Sequence, residues 1–152
     1  MAAPTDWSAI ELCIDADLRE FETDVLQWTG AESSAAKWRR KAKDLIDARL
    51  RLRFKQVEID TDVDDVLDLI GNPEVLKDAA CYRTLHLLAN DISTAPGDLY
   101  AEKAAMYYGL FKEEIEIAVS MLHLDLDESG VIDDSEKYTG AQYTGVRLKM
   151  GG

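Results

Sequence analysis

The segment spanning residues 72–92 constrains the fold of this 152-residue chain more than any other stretch. Asn72 is a residue type favoured at the N-cap of a helix, and Pro73 is favoured at the first helical position. Apolar side chains then cover most of the helical circumference, and polar residues are confined to a narrow strip. A helix that is apolar on nearly all sides must be surrounded by other elements in water. The segment therefore predicts the central buried helix of an all-α fold, a small helical bundle.

A second helix is predicted before this segment. Residues 48–55 alternate between apolar and basic side chains, which is a strand pattern, but four apolar residues also recur at the four-residue spacing of one helix face. These residues are Ala42, Ile46, Leu50 and Phe54. We favour a helix that runs to about Arg53, with Leu45 also facing inward.

A long helix is predicted after the central one, beginning at an Asp98 cap and running to about His123. Its main apolar row consists of Ala101, Ala104, Tyr108, Phe111, Ile115, Ala118 and Leu122. A second row lies beside it and consists of Tyr107, Leu110, Ile117 and Met121. Two rows indicate either a wide core face or a helix that is partly covered by a neighbouring subunit.

The first 30 residues carry a weaker helical signal. Residues 8–11 match a capping box, and apolar residues follow at steps of three and four. These apolar residues are Ile10, Ile14, Leu18, Phe21, Val25 and Trp28. The acidic cluster at residues 15–17 is expected to divide the stretch into two short helices, and Gly30 is expected to end it.

The formal net charge of −13 is distributed unevenly along the chain. Residues 37–55 hold nine lysines and arginines against two aspartates, a local charge of +7, so the remaining residues carry −20. The overall acidity argues against a nucleic-acid-binding protein. A basic segment in an acidic body predicts a contact between copies of the chain, although a solvated basic face is an equally simple interpretation. The predicted interface residues are Arg39, Arg40, Arg49, Arg51 and Arg53.

Catalytic patterns are missing from the sequence. His86 and His123 share no spacing with each other or with a nucleophile, and no Ser/His/Asp set, phosphate-binding glycine loop or CxxC motif occurs. We therefore expect a protein that is not an enzyme. Cys13 and Cys81 are expected to be reduced, packing cysteines of a cytoplasmic product. The sequence also predicts neither a signal peptide nor a membrane span.

Residues 125–136 match the twelve-residue loop of an EF-hand. The predicted oxygen ligands are those of Asp125, Asp127, Ser129, Val131, Asp133 and Glu136. Gly130 permits the sharp turn, and the long helix supplies the entering helix, but no convincing exiting helix or second loop follows. The loop therefore predicts either one structural calcium ion, its only candidate cofactor, or an acidic turn without an ion.

Residues 137–152 are expected to form an extended C-terminal arm that follows a single helical domain at residues 1–136. The arm contains Tyr-Thr-Gly twice and ends in alternating apolar and basic residues. Such a tip is typical of a strand or groove-binding segment that orders on a partner, although it would also suit a loose tail without a role. The predicted contact residues are Tyr138, Tyr143, Val146, Arg147, Leu148, Lys149 and Met150.

Three stretches together resemble the head-to-tail connector proteins of tailed bacteriophages, also called neck adaptor or head-completion proteins. They are KWRRKAKDLIDARLRLRF, NPEVLKDAACYRTLHLLANDI and AEKAAMYYGLFKEEIEIAVSML, followed by the acidic turn and the arm. The resemblance covers roughly residues 31–152. It implies a virion structural protein that forms a homo-oligomeric ring, usually of twelve copies, beneath the portal protein.

The resemblance further implies a location in the neck of the virion, with assembly in the host cytoplasm. The ring would extend the DNA channel, let DNA pass without sequence-specific binding, and dock the next neck, stopper or tail protein. The arm would bind the portal. Two alternatives remain: a small calcium-binding module, and an acidic mimic of nucleic acid that binds a basic host protein, against which the basic segment argues.

Overall fold

The fold is all-α, as predicted from the sequence. A computed structural model describes residues 6–30, 32–56 and 66–124. Within these ranges the α-helices are α1 (Asp15–Arg19), α2 (Ala36–Gln56), α3 (Lys77–Ile92) and α4 (Leu99–Ser120). Short 3-10 helices cover Trp7–Ala9, Val25–Gln27, Val66–Leu69 and Pro73–Leu76. The described part of the chain contains no β-strand, only one isolated bridge between Ile70 and Leu124. The acidic loop at residues 125–136 and the arm lie outside the described residues.

The chain is organised as two compact units. The first contains residues 6–10, 47–56, 66–75 and 116–124 of the described part. The second contains Glu11–Ile46 and Leu76–Ile115. Helices α2 and α4 each contribute residues to both units, whereas α1 and α3 belong wholly to the second.

Helix α3 is the buried helix that the sequence predicts. Its fully covered side chains are Ala79, Ala80, Cys81, Thr84, Leu85, Leu88 and Ala89, and no residue between Ala79 and Ala89 is exposed. Thr84 belongs to the polar strip of the sequence pattern, yet it is buried because its hydroxyl donates to the Ala80 carbonyl at 2.7 Å. This bond satisfies the buried hydroxyl of Thr84.

The start of α3 differs from the prediction. Pro73–Leu76 forms a 3-10 helix, and the α-helix begins only at Lys77. The Asn72 side chain does not cap this helix, because both of its polar atoms are engaged in the first unit. Its amide nitrogen donates to the Met121 carbonyl at 2.9 Å, and its oxygen accepts the His123 N–H at 2.7 Å.

The region 36–56 is a helix, and the strand alternative is wrong. Ala42, Ile46, Leu50 and Phe54, at four-residue spacing, are all buried. The helix continues to Gln56, three residues beyond the predicted end at Arg53. The inward placement of Leu45 is also wrong, since its side chain is 37% exposed.

The N-terminal prediction is only partly correct. The capping box at residues 8–11 does not form. Trp7–Ala9 is a 3-10 helix whose Ser8 N–H donates to Asp6, and α1 begins at Asp15. Burial also departs from the predicted stripe, because Ile14 is 46% exposed whereas Trp7, Leu12 and Cys13 are covered.

Two buried tryptophans donate hydrogen bonds from their indole N–H groups within their units. In the first unit the Trp7 indole N–H donates to Asp47 Oδ1 at 2.7 Å, and its backbone N–H donates to Asp68 Oδ1 at 2.9 Å. In the second unit the Trp38 indole N–H donates to Asp91 Oδ2 at 2.7 Å. Each indole therefore buries a large apolar surface without leaving its donor unsatisfied.

Helix α4 begins at the predicted Asp98 cap and ends at Ser120, three residues short of His123. Asp98 accepts hydrogen bonds from the N–H groups of Ala101, Thr94 and Ala95. The preceding Gly97 has φ +82°, a left-handed conformation that glycine adopts without strain. Both features involve residues that are close in sequence, so the conformation of the turn before α4 is determined locally.

The Asp98 cap predicts a loss of stability in acid. Hydrogen bonds, first that from Ala101 and then that from Thr94, lower the pKa of Asp98 to about 2. The stabilisation is present above the unfolded pKa of about 3.9 and is lost as the pH falls toward 2. Asp98→Asn should flatten this part of the melting temperature's pH profile between pH 5 and 2. Asp24→Asn is the matched control, because Asp24 makes no capping hydrogen bond; an equal flattening there would contradict the assignment.

Candidate interaction surface

Arg39, the first predicted interface residue, is bound within its own chain. Its Nε donates to Asp15 Oδ1 at 3.0 Å, and its Nη1 donates at 3.3 Å both to Glu11 and to the Cys13 carbonyl. Only 14% of its side chain is exposed. Asp15 also accepts the N–H of Ala35 at the start of α2. The structure thus gives Arg39 an internal role in the second unit.

Two further predicted interface residues share one carboxylate. Arg49 and Arg53 both pair with Glu116 of α4, the latter through Nη2 and Oε2 at 2.9 Å. About half of Glu116 is exposed, so these pairs contribute little to stability and are screened by salt. Arg40 and Arg51 are exposed on α2. That these arginines contact a neighbouring subunit stays a prediction.

The predicted metal ligands at residues 125–136 and the predicted arm contacts at residues 138–150 lie outside the described residues. The preceding chain is described, and it departs from the EF-hand pattern. Helix α4 ends at Ser120, and Leu124 forms the isolated bridge with Ile70. Four non-helical residues therefore separate the helix from Asp125, whereas an EF-hand has an entering helix directly before its loop. Elsewhere in the described ranges, no group of three or more His, Cys, Asp or Glu residues is placed to hold a metal ion.

The clearest feature of the surface is a row of exposed side chains along α4, apolar except for Glu113, that ends at Met121 directly after the helix. Its members recur at three- and four-residue spacing: Met106, Leu110, Glu113, Ile117 and Met121. We call this row the acidic seam, since Glu113 lies within it. Ile117 is 54% exposed, Met121 49% and Met106 48%. The second apolar row of the sequence pattern divides here, because Tyr107 is buried whereas Leu110, Ile117 and Met121 are exposed.

A second exposed row lies on α2 and was not predicted from the sequence. It consists of Lys41, Leu45, Ala48, Leu52 and Lys55, all exposed, and we call it the basic seam. Leu52 is 58% exposed, compared with 37% for Leu45. The spacing 41, 45, 48, 52, 55 is the heptad pattern of a helix-packing seam. The spacing is visible in the sequence, but spacing alone does not show which face of a helix is left exposed.

His86, Cys13 and Cys81 all lie in the second unit. His86 Nδ1 lies 3.4 Å from Arg83 Nη1, its ring lies 4.9 Å from that of Tyr108, and burial, followed by the Arg83 charge, lowers its pKa. Cys13 and Cys81 are free and buried. The hydrogen bond to Cys13, followed by burial, raises the pKa of Cys81. His86 therefore lies against side chains of α3 and α4, and both thiols are enclosed in the core of the second unit.

Comparisons of the chain with protein-family models, curated proteins and solved structures found no match. Among the described helices, none combines the length and apolar character that crossing a membrane requires. The two seams, and the charges of the helices that carry them, are therefore the observations from which a function can be inferred.

Proposed function

We propose that this chain is a structural subunit that assembles with copies of itself into a ring, the head-to-tail connector of a tailed bacteriophage. The observation that carries the proposal is the acidic seam of α4. Soluble monomers rarely expose large apolar patches, and exposed apolar side chains that share one face of a helix over several turns are typical of a protein–protein contact. The proposed contact is with further copies of the chain.

The sequence supports the more specific assignment to the phage neck. The resemblance to connector proteins includes the segments that form α2, α3 and α4. In this assignment the ring lies beneath the portal, usually as twelve copies, extends the DNA channel and docks the next neck, stopper or tail protein. The strongly acidic composition suits a channel that passes DNA without retaining it, because affinity for phosphates comes from lysine and arginine.

The C-terminal arm is proposed as the attachment to the portal. Its tip, residues 146–150, alternates apolar and basic side chains and could add to a sheet edge or lie in a groove of the partner. Isolated in water, so short a segment buries too little surface to offset an ordering cost of roughly 1–2 kcal/mol per residue. Binding to the portal would supply the missing surface.

A calcium-binding module is the second candidate, favoured by the oxygen-rich pattern of residues 125–136. In that case the chain would remain monomeric and change its stability with calcium. One structural ion in the loop is also compatible with the ring, and the loop would then join α4 to the arm. Mass and thermal stability measured with and without calcium distinguish the two functions.

We expect the full-length protein to sediment as a ring of about 200 kDa, twelve copies of 17.0 kDa, with or without calcium. The ring should bind DNA-filled heads assembled without this chain. Deleting residues 138–152 should preserve the ring and its melting temperature but abolish head binding. A full-length monomer that is stabilised by millimolar calcium would instead support the second candidate. Binding of the truncated ring to heads would show that the arm is not the attachment.

A further inference from the structure

The two seams are complementary in their side chains. The basic seam has three apolar residues between terminal lysines, Lys41 and Lys55. The acidic seam has one apolar pair on each side of Glu113. If either apolar pair of the acidic seam contacted the apolar centre of the basic seam on another copy, Glu113 would lie near Lys41 or Lys55. None of these three charged groups forms an ion pair with another described residue.

The helices that carry the seams also have opposite charge. Helix α2 has a formal charge of +7, whereas α4 has four glutamates against two lysines, a charge of −2. Pairing α2 with α2 would bring two strongly basic helices together. Pairing α4 with α4 would bring two acidic helices together. Like charges in contact oppose both arrangements, and opposite charges favour α2 against α4.

We infer that the basic seam of one copy packs on the acidic seam of the next copy. This inference rests on the proposed function and names the contact that would build the ring. Because the two seams are different surfaces, each copy can use its basic seam to bind one neighbour and its acidic seam to bind another. Such a head-to-tail contact closes into a ring when the rotation between copies allows and otherwise gives an open filament, whereas a two-fold contact stops at a dimer. Rows of side chains at three- and four-residue spacing can interdigitate with those of another helix.

The experiment uses two full-length variants that each disable one seam. Leu52→Asp places a charge in the basic seam, and Ile117→Asp places one in the acidic seam. Both side chains are more than half exposed, so each variant should retain its fold, as helical circular dichroism would confirm. Alone, each variant should have the 17.0 kDa mass of a monomer at concentrations where the parent protein forms a ring.

Mixing the two variants gives the decisive result. The intact acidic seam of Leu52→Asp meets the intact basic seam of Ile117→Asp, so we expect a 1:1 dimer that cannot grow further. A dimer of Leu52→Asp alone would indicate α4-to-α4 pairing and overturn the inference. Rings formed by either variant would also overturn it while leaving the proposed ring intact. A parent protein that is monomeric would overturn the ring and the inference together.

Controls separate the seams from charge alone. Gln56→Glu lowers the charge of α2 by one outside the basic seam, as Leu52→Asp does within it. Ala105→Asp adds the same aspartate to an exposed position of α4 off the acidic seam. Both controls should form rings, and monomeric controls would contradict the seam assignment. If either seam variant loses helical signal, Leu45→Asp and Leu110→Asp test the same two surfaces.

Discussion

Replacing Leu85 with alanine is expected to lower the free energy of unfolding by about 2–5 kcal/mol. Leu85 lies in the middle of α3, and its side chain is fully buried. The substitution removes apolar contacts and leaves a cavity, because neighbouring side chains relax only partly into the space. The loss should appear as a lower midpoint in urea denaturation.

Leu87→Ala is the matched control on the same helix. Leu87 is only half-buried, so the substitution removes the same atoms but leaves a smaller cavity. We expect less than half the loss of stability seen with Leu85→Ala. Equal losses at the two positions would contradict the assignment of Leu85 to the core face of α3.

Arg39→Ala is expected to lower the stability of the chain by about 1–3 kcal/mol, before any effect on assembly. The guanidinium donates to Asp15, Glu11 and the Cys13 carbonyl, and the alanine variant leaves these acceptors without their donor. Asp15 is itself mostly covered, so loss of its cation leaves a poorly solvated charge. Thermal unfolding of the variant at moderate salt measures the effect.

Arg40→Ala is the neighbouring control. The side chain of Arg40 is exposed, and its removal should change stability by no more than about 0.5 kcal/mol. The comparison distinguishes an internal role for Arg39 from a general effect of removing positive charge from α2. An Arg39 variant as stable as the Arg40 variant would show that the internal contacts contribute nothing measurable.

Local patterns determined most of the helical architecture. The four-residue spacing of Ala42, Ile46, Leu50 and Phe54 favoured α2, because a helix places all four on one face. A strand would also place them on one face, so the spacing alone did not exclude it. The apolar circumference of α3 predicted its burial, because a helix that is apolar on nearly all sides must be covered by other elements in water. The Asp98 cap was predictable since its partners lie within four residues along the chain, so no distant contact was needed to choose that conformation.

The predictions from sequence were wrong where a polar side chain could bind either local or distant partners. Asn72 has the chemistry of an N-cap, but its amide bonds Met121 and His123, which lie about 50 residues away in sequence. Arg39 has the appearance of a surface charge, yet Asp15 and Glu11 enclose it. In each case the sequence shows the hydrogen-bonding capacity of the residue but not its partner, because the partner is chosen by the packing of distant segments.

The sequence by itself determined the helical class, the buried helix α3 and the uneven distribution of charge, all of which depend on spacing along the chain. Only the tertiary structure decided which apolar rows are covered. It buried Tyr107 and left Ile117 exposed, although both belong to one apolar row of the sequence pattern. It also turned Leu45 outward, into the basic seam. Helical periodicity shows which residues share a face, whereas burial depends on what packs against that face.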